Sequence, residues 1–102
     1  LLTLLYSETG PVWYRGYFDT KNFKKKNIKS ILKRLDQDRI IVGHTSLNKI
    51  TAMFGGRVIA IDCSIKKGLD GQVLSLENDD YLVRNPDFKL SYKYYPIEKI
   101  EL

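Results

Sequence analysis

The sequence predicts an α/β fold in which one amphipathic helix is followed by a mixed β-sheet. Three features carry this prediction. Apolar positions recur at helical spacing between residues 22 and 35, a β-branched run follows at 39–43, and short extended segments separated by turn residues fill the second half.

In the helical segment, Ile28, Ile31, Leu32 and Leu35 fall on one face and the lysines on the other. Lys33 and Arg34 suit the negative C-terminal end of the helix dipole, whereas Lys24 to Lys26 are mildly unfavourable at its start. After the polar link Asp36-Gln37-Asp38, the run Ile40-Ile41-Val42 reads as a strand buried on both faces. Residues 48–54 fit a strand and a helical turn equally, since Ile50, Ala52 and Phe54 alternate while Leu47, Ile50 and Phe54 share a helical face. A second buried strand is expected over 57–62. The turn at 68–71 precedes alternation over 72–77, and Asn78-Asp79-Asp80 then leads into a strand at 81–84, which makes a hairpin. Asn85-Pro86-Asp87 should end that strand, with one further edge strand in the tail at 88–102. Before the helix, Gly10-Pro11 marks a turn, and 12–18 reads as an extended stretch carrying Trp13, Tyr14, Tyr17 and Phe18.

With 102 residues and 43% apolar content, the chain forms a single small unit with a core. The net charge of +5 and pI near 9.3 favour anionic partners, but the excess is concentrated between residues 24 and 34 and reads first as a solvated helix face. The apolar runs are too short to cross a bilayer. Cys63, the only cysteine, forms no intrachain disulfide and has no zinc-finger spacing with the only histidine. Both cytoplasmic and periplasmic placement stay open. The chain begins in the apolar run Leu1-Leu2-Thr3-Leu4-Leu5 and not with methionine, so further sequence is expected upstream of Leu1.

His44 follows a predicted strand directly, at the carboxyl end where α/β sheets hold their sites, and Gly43 before it would let the backbone turn. Its surroundings, Arg39-Ile40-Ile41-Val42-Gly43-His44-Thr45-Ser46, resemble the strand-Gly-His-Thr motif of calcineurin-like metallophosphoesterases. The strand ending in Asp62 stands where that family has another strand ending in aspartate. Gly10-Pro11-Val12-Trp13-Tyr14-Arg15-Gly16-Tyr17 is similar to a Gly-Pro-Leu-Trp-Tyr-Arg segment of the family's bacterial phosphoprotein-phosphatase-like branch, and Ser46, where many members have a second histidine, points to the same branch.

The resemblance implies the C-terminal part of a four-layer α/β sandwich, truncated at its N-terminus, that hydrolyses phosphomonoesters or phosphoproteins through a hydroxide activated by two divalent ions (Mn, Fe or Zn). His44 would be a metal ligand and Arg15 would bind the substrate phosphate, while Asp62 either supports His44 from behind or serves as a turn or cap residue ending its strand. The family's Asp-x-His, Gly-Asp-x-x-Asp-Arg-Gly and Gly-Asn-His-Glu motifs are absent from these residues, and Asp62-Cys63-Ser64 replaces the common Asp-Thr-Gly. The metal site is therefore expected to be incomplete and the 102 residues inactive alone, with an exposed sheet edge able to pair with a second copy. The expected partner is a phosphorylated substrate, not nucleic acid. The competing reading is a non-catalytic module that binds an anion or nucleic acid through the basic helix and the aromatic segment.

Overall fold

A computed structural model describes residues 2–19, 21–87 and 93–99. The expected amphipathic helix is α2 (Lys25–Leu35), preceded by one short turn of helix, α1 (Leu2–Leu5). Helix α2 begins three residues later than the apolar pattern suggests because Asp19 diverts the chain. Its Oδ1 accepts the N–H groups of Lys21 and Asn22, each at 3.2 Å, so these residues turn before the helix can start. The Asn27 side chain then reaches back to the Lys24 N–H at 2.8 Å, which satisfies one of the orphan donors of the first turn. At the other end Asp36 takes a left-handed conformation (φ 52°), and the Gln37 N–H closes onto the Leu32 carbonyl at 3.0 Å.

Among the described residues six strands follow: β1 (Ile40–Val42), β2 (Thr51–Met53), β3 (Val58–Ala60), β4 (Val73–Glu77), β5 (Asp80–Asp87) and β6 (Lys93–Lys99). They form two three-stranded sheets. In the first, the order is β1-β3-β2, with β3 parallel to β1 and antiparallel to β2. The second is an antiparallel meander, β4-β5-β6. The central place of β3 explains why all three of its residues are buried. The expectation that β1 is covered on both faces fails for the same reason: β1 is an edge strand, and Ile41 is 49% exposed. The ambiguous stretch at 48–54 resolves as β2, because pairing with β3 satisfies its backbone as a lone helical turn would not.

Adjacent residues of β3 point into different cores. Val58 packs with Ile28 and Leu32 of α2, joined by Tyr17, Phe23, Ile40, Val42, Met53 and Phe54. Ile59 faces the other way, against Ile50 and Val83, with Leu74 and Tyr81 beside them. The described residues therefore stack as helix, mixed sheet and meander. This is an α/β arrangement, and the four-layer sandwich expected from the motif resemblance is corrected to these layers. Gln72 ties the two sheets together. Its Oε1 accepts the Ile50 N–H at 2.7 Å and its Nε2 donates to Asn85 Oδ1 at 2.5 Å.

The β4–β5 hairpin closes through Asn78 and Asp79, both at positive φ (50° and 66°). These residues suit the two-residue turn that matches the twist of paired strands. Strand β5 does not stop at Asn85-Pro86-Asp87. It continues to Asp87 with a register irregularity between Arg84 and Pro86, which lets a residue lacking an N–H sit in the ladder. The expected tail strand is β6, at the edge of the meander; residues 88–92 and 100–102 lie outside the described part.

The aromatic segment is not extended as predicted. The N–H groups of Trp13 and Tyr14 both return to the Gly10 carbonyl (3.3 and 2.9 Å), and Gly16–Phe18 is a 3-10 turn. Gly10 permits this because a Cβ there would stand 2.0 Å from the Leu4 carbonyl oxygen. The rings instead make an edge-on cluster, with Tyr14 against Tyr17 (5.0 Å), Tyr17 against Phe23 (5.3 Å) and Phe23 against Phe54 (5.4 Å).

Candidate functional site

Because β1 and β3 run parallel, the residues that follow them emerge at the same end of the sheet. The Ile61 N–H still bonds the Val42 carbonyl at 2.9 Å, and beyond that point Gly43-His44 and Asp62 leave the sheet side by side. This is the carboxyl edge at which open α/β sheets present functional groups.

The sharp turn expected at Gly43 falls on His44 itself. His44 has φ 72°, and the Thr45 N–H donates to the Gly43 carbonyl at 2.9 Å across it. A three-residue turn closed around a central residue at positive φ is the rare, strained form of γ-turn. Such a conformation costs about 1–3 kcal/mol at a non-glycine residue and persists only when its surroundings hold it. The exposed imidazole packs edge-on against Trp13, with ring centroids 5.6 Å apart.

The loop after His44 is held by Asp62 and its neighbours. Ser46 Oγ donates to Asp62 Oδ2 at 3.2 Å, the Leu47 N–H to the Asp62 carbonyl at 2.9 Å, and the buried Ser64 hydroxyl to the Leu47 carbonyl at 2.6 Å. Asp62 Oδ1 accepts the Ser64 N–H at 3.0 Å. These bonds latch the His44 loop to the loop after β3, so Asp62 acts on the His44 loop through Ser46 and Leu47. The Ser64 N–H is the main reason that the Asp62 carboxyl lies below the usual carboxylate range. The Ser46 hydroxyl, Lys66 and His44 add to it against a desolvation effect of opposite sign. Sequence reading found Asp62 but missed Ser46 and Ser64 as its partners. The Asp-x-Ser spacing of a side-chain-closed turn was the available signal.

A depressed folded pKa means that the Asp62 contribution is present above the unfolded carboxylate pKa and is lost as pH falls through the folded value. Ser46→Ala removes one acceptor-stabilising donor and should raise the Asp62 pKa towards the ordinary range. A carboxyl NMR titration of wild type and variant checks this; an unchanged Asp62 titration would count against the Ser46 contact.

Arg15 and His44 line adjoining clefts. His44 stands at the rim of one of ≈ 760 Å³, together with Val12, Tyr17 and the length of β1. Arg15 borders the other, of ≈ 770 Å³, with Tyr6, Glu8, Trp13 and Asp19. The two share Thr9 and Tyr14, and Trp13 bridges them by touching the His44 ring while lining the Arg15 side. Arg15 is exposed, and its guanidinium has no hydrogen-bond or ion-pair partner among the described residues. It is thus available to an anionic ligand. Cys63 is 3% exposed, and its sulfur accepts the Gln72 N–H at 3.1 Å, so the chain's only thiol packs inside and does not face the clefts.

The α/β arrangement of the chain is similar to parts of solved structures of phosphatases. The chain is similar to a cold-active protein tyrosine phosphatase at 35% identity and a TM-score of 0.80, over 96% of this chain and 27% of that one. It is likewise similar to the cold-active protein-tyrosine phosphatase of a psychrophilic Shewanella species, at 34% identity and a TM-score of 0.82, over 98% of this chain and 28% of the other. The 102 residues therefore span just over a quarter of the length of these proteins. No protein-family model and no curated protein matches the chain.

These neighbours bear the name of protein tyrosine phosphatases, and the expected calcineurin-like metallophosphoesterase family is corrected on that finding. The two Mn, Fe or Zn ions were implied by that family and are corrected with it. Locally, the Asp62 carboxylate is engaged by Ser46 and Ser64, and the described residues contain no group of three or more His, Cys, Asp or Glu side chains placed to hold an ion.

Proposed function

We propose that the protein hydrolyses phosphoesters and that phosphotyrosyl protein is its substrate. The observation that carries this reading is the 34–35% identity to protein tyrosine phosphatases over 96–98% of the chain. The strained His44 turn, beside a cleft with an unengaged arginine, is consistent with it. Arg15 binds the phosphoryl oxygens through its planar fork of N–H donors, and His44 presents its imidazole to the same group. Trp13 keeps the imidazole in place, and the Ser46–Asp62–Ser64 latch holds the turn that aims it. Because these residues match only about a quarter of the similar proteins, they supply one side of the site, and turnover belongs to the longer chain.

Arg15→Ala in the full-length protein should raise KM for a phosphotyrosyl peptide by about tenfold, the loss expected for a charge-assisted contact. A smaller effect on kcat should accompany it. Steady-state kinetics with phosphotyrosyl and phosphoseryl peptides test both the residue and the substrate class. Wild-type KM in the variant would remove Arg15 from the site, and an equal or greater kcat/KM for the phosphoseryl peptide would overturn the tyrosine reading.

A further inference from the structure

The basic residues of α2 do more than form a solvated face. Lys29 and Lys33 line a cleft of ≈ 560 Å³ together with Arg39, Arg57 and the Gly55-Gly56 turn, and among the described residues Asp38 is the only acidic one on its walls. A fifth cation joins the rim: Lys25 Nζ and Arg57 Nη1 lie 3.4 and 2.9 Å from the point where a Gly55 Cβ would stand. Among the described residues, none of these five side chains has an ion-pair partner. Lys29 and Lys33 are also four apart on one helix, a spacing at which like charges repel.

Two of the cations are held in position before any ligand arrives. The Arg39 guanidinium lies 4.4 Å over the Tyr81 ring, and its Nε is buried with no hydrogen-bond partner. Arg57 Nη1 is anchored on the Phe54 carbonyl at 3.1 Å. Planar forks fixed in this way lose little freedom on binding an oxyanion. The cleft also sits away from the His44 site. Arg39 and Arg57 immediately precede the parallel strands β1 and β3, whereas His44 and Asp62 follow them. The five steps from Arg39 to His44 correspond to roughly 16 Å of extended chain, too far for one phosphoryl group to touch both.

We propose that this cleft is a second anion site, taking a small polyvalent phosphate, of the size of orthophosphate or pyrophosphate, at the amino ends of β1 and β3. Repulsion among the cations lining the cleft falls when such a ligand binds. The test is calorimetric titration of the full-length Arg15→Ala variant with pyrophosphate, so that the His44 end contributes little. One saturable site, weakening as salt rises, is expected. Adding Lys29→Gln and Lys33→Gln, both exposed helix positions, should weaken it by at least about tenfold. Arg57→Gln should do the same, and the lysine pair keeps the result interpretable if that variant disturbs the β2–β3 turn.

Absence of saturable binding overturns the proposal, as does binding indifferent to the lysine pair. Single-stranded oligonucleotide that binds the cleft more tightly than pyrophosphate would replace the small-phosphate site with a polymer surface. The lysine variants should leave peptide turnover unchanged, which separates this site from the proposed activity.

Discussion

His44→Ala in the full-length protein should lower kcat by about 10²–10³, the range seen when one group aimed at developing charge is removed. The side chain is exposed at the strand end and contributes little to the core, so the loss should not come from unfolding. His44→Gly sharpens the test. Glycine adopts the positive φ of this turn without strain, so the variant should be inactive and yet more stable than His44→Ala by about 1 kcal/mol, after the entropic cost of glycine is subtracted. Thermal or denaturant unfolding alongside single-turnover kinetics provides both readings. Activity near wild type in either variant would remove His44 from the site. Equal stability of the two would show that the turn carries no strain.

The second large effect is on stability. Ile59→Ala should cost about 3 kcal/mol, in the range for deleting a fully buried branched side chain from a packed core. Ile59 is 0% exposed and fills the space between the two sheets against Ile50 and Val83. Its loss leaves a cavity between β3 and the β4-β5-β6 meander that closes only if the layers shift against one another. For a unit of this size the corresponding fall in Tm is roughly 12–24 °C. Ile41→Ala, on the exposed side of the edge strand, should cost well under 1 kcal/mol. Comparable losses at the two positions would contradict the assignment of β3 to the centre and β1 to the edge. Lys29→Gln and Lys33→Gln should leave unfolding nearly unchanged, since both side chains are exposed.

The helix and the strands at β1, β3, β4 and β5 could be read from apolar spacing because each buries its face in a way that local periodicity records. His44, Arg15 and Asp62 were also visible, as polar residues at strand ends or in turns. Their grouping was not. Trp13 meets His44 only because residues 10–18 fold into turns that bring the indole across β1, and nothing in the spacing of 13 and 44 announces that contact. Ser46 and Ser64 became partners of Asp62 only when two parallel strands delivered their loops to the same edge. The motifs around Gly43-His44 and Trp13-Tyr14-Arg15 resemble one family, whereas the solved structures to which the chain is similar bear another family's name.

By itself, then, the sequence determined the approximate place of α2 and of most strands, that the unit is α/β, and that a histidine stands at a strand end. Those properties depend on residues a few positions apart. The tertiary structure decided which strand lies at the centre, that His44 rather than Gly43 carries the strained turn, and that the charge of α2 converges with Arg39 and Arg57 into a cleft. Each of these depends on groups far apart in the chain, whose burial and electrostatic environment are set only when the layers close on one another.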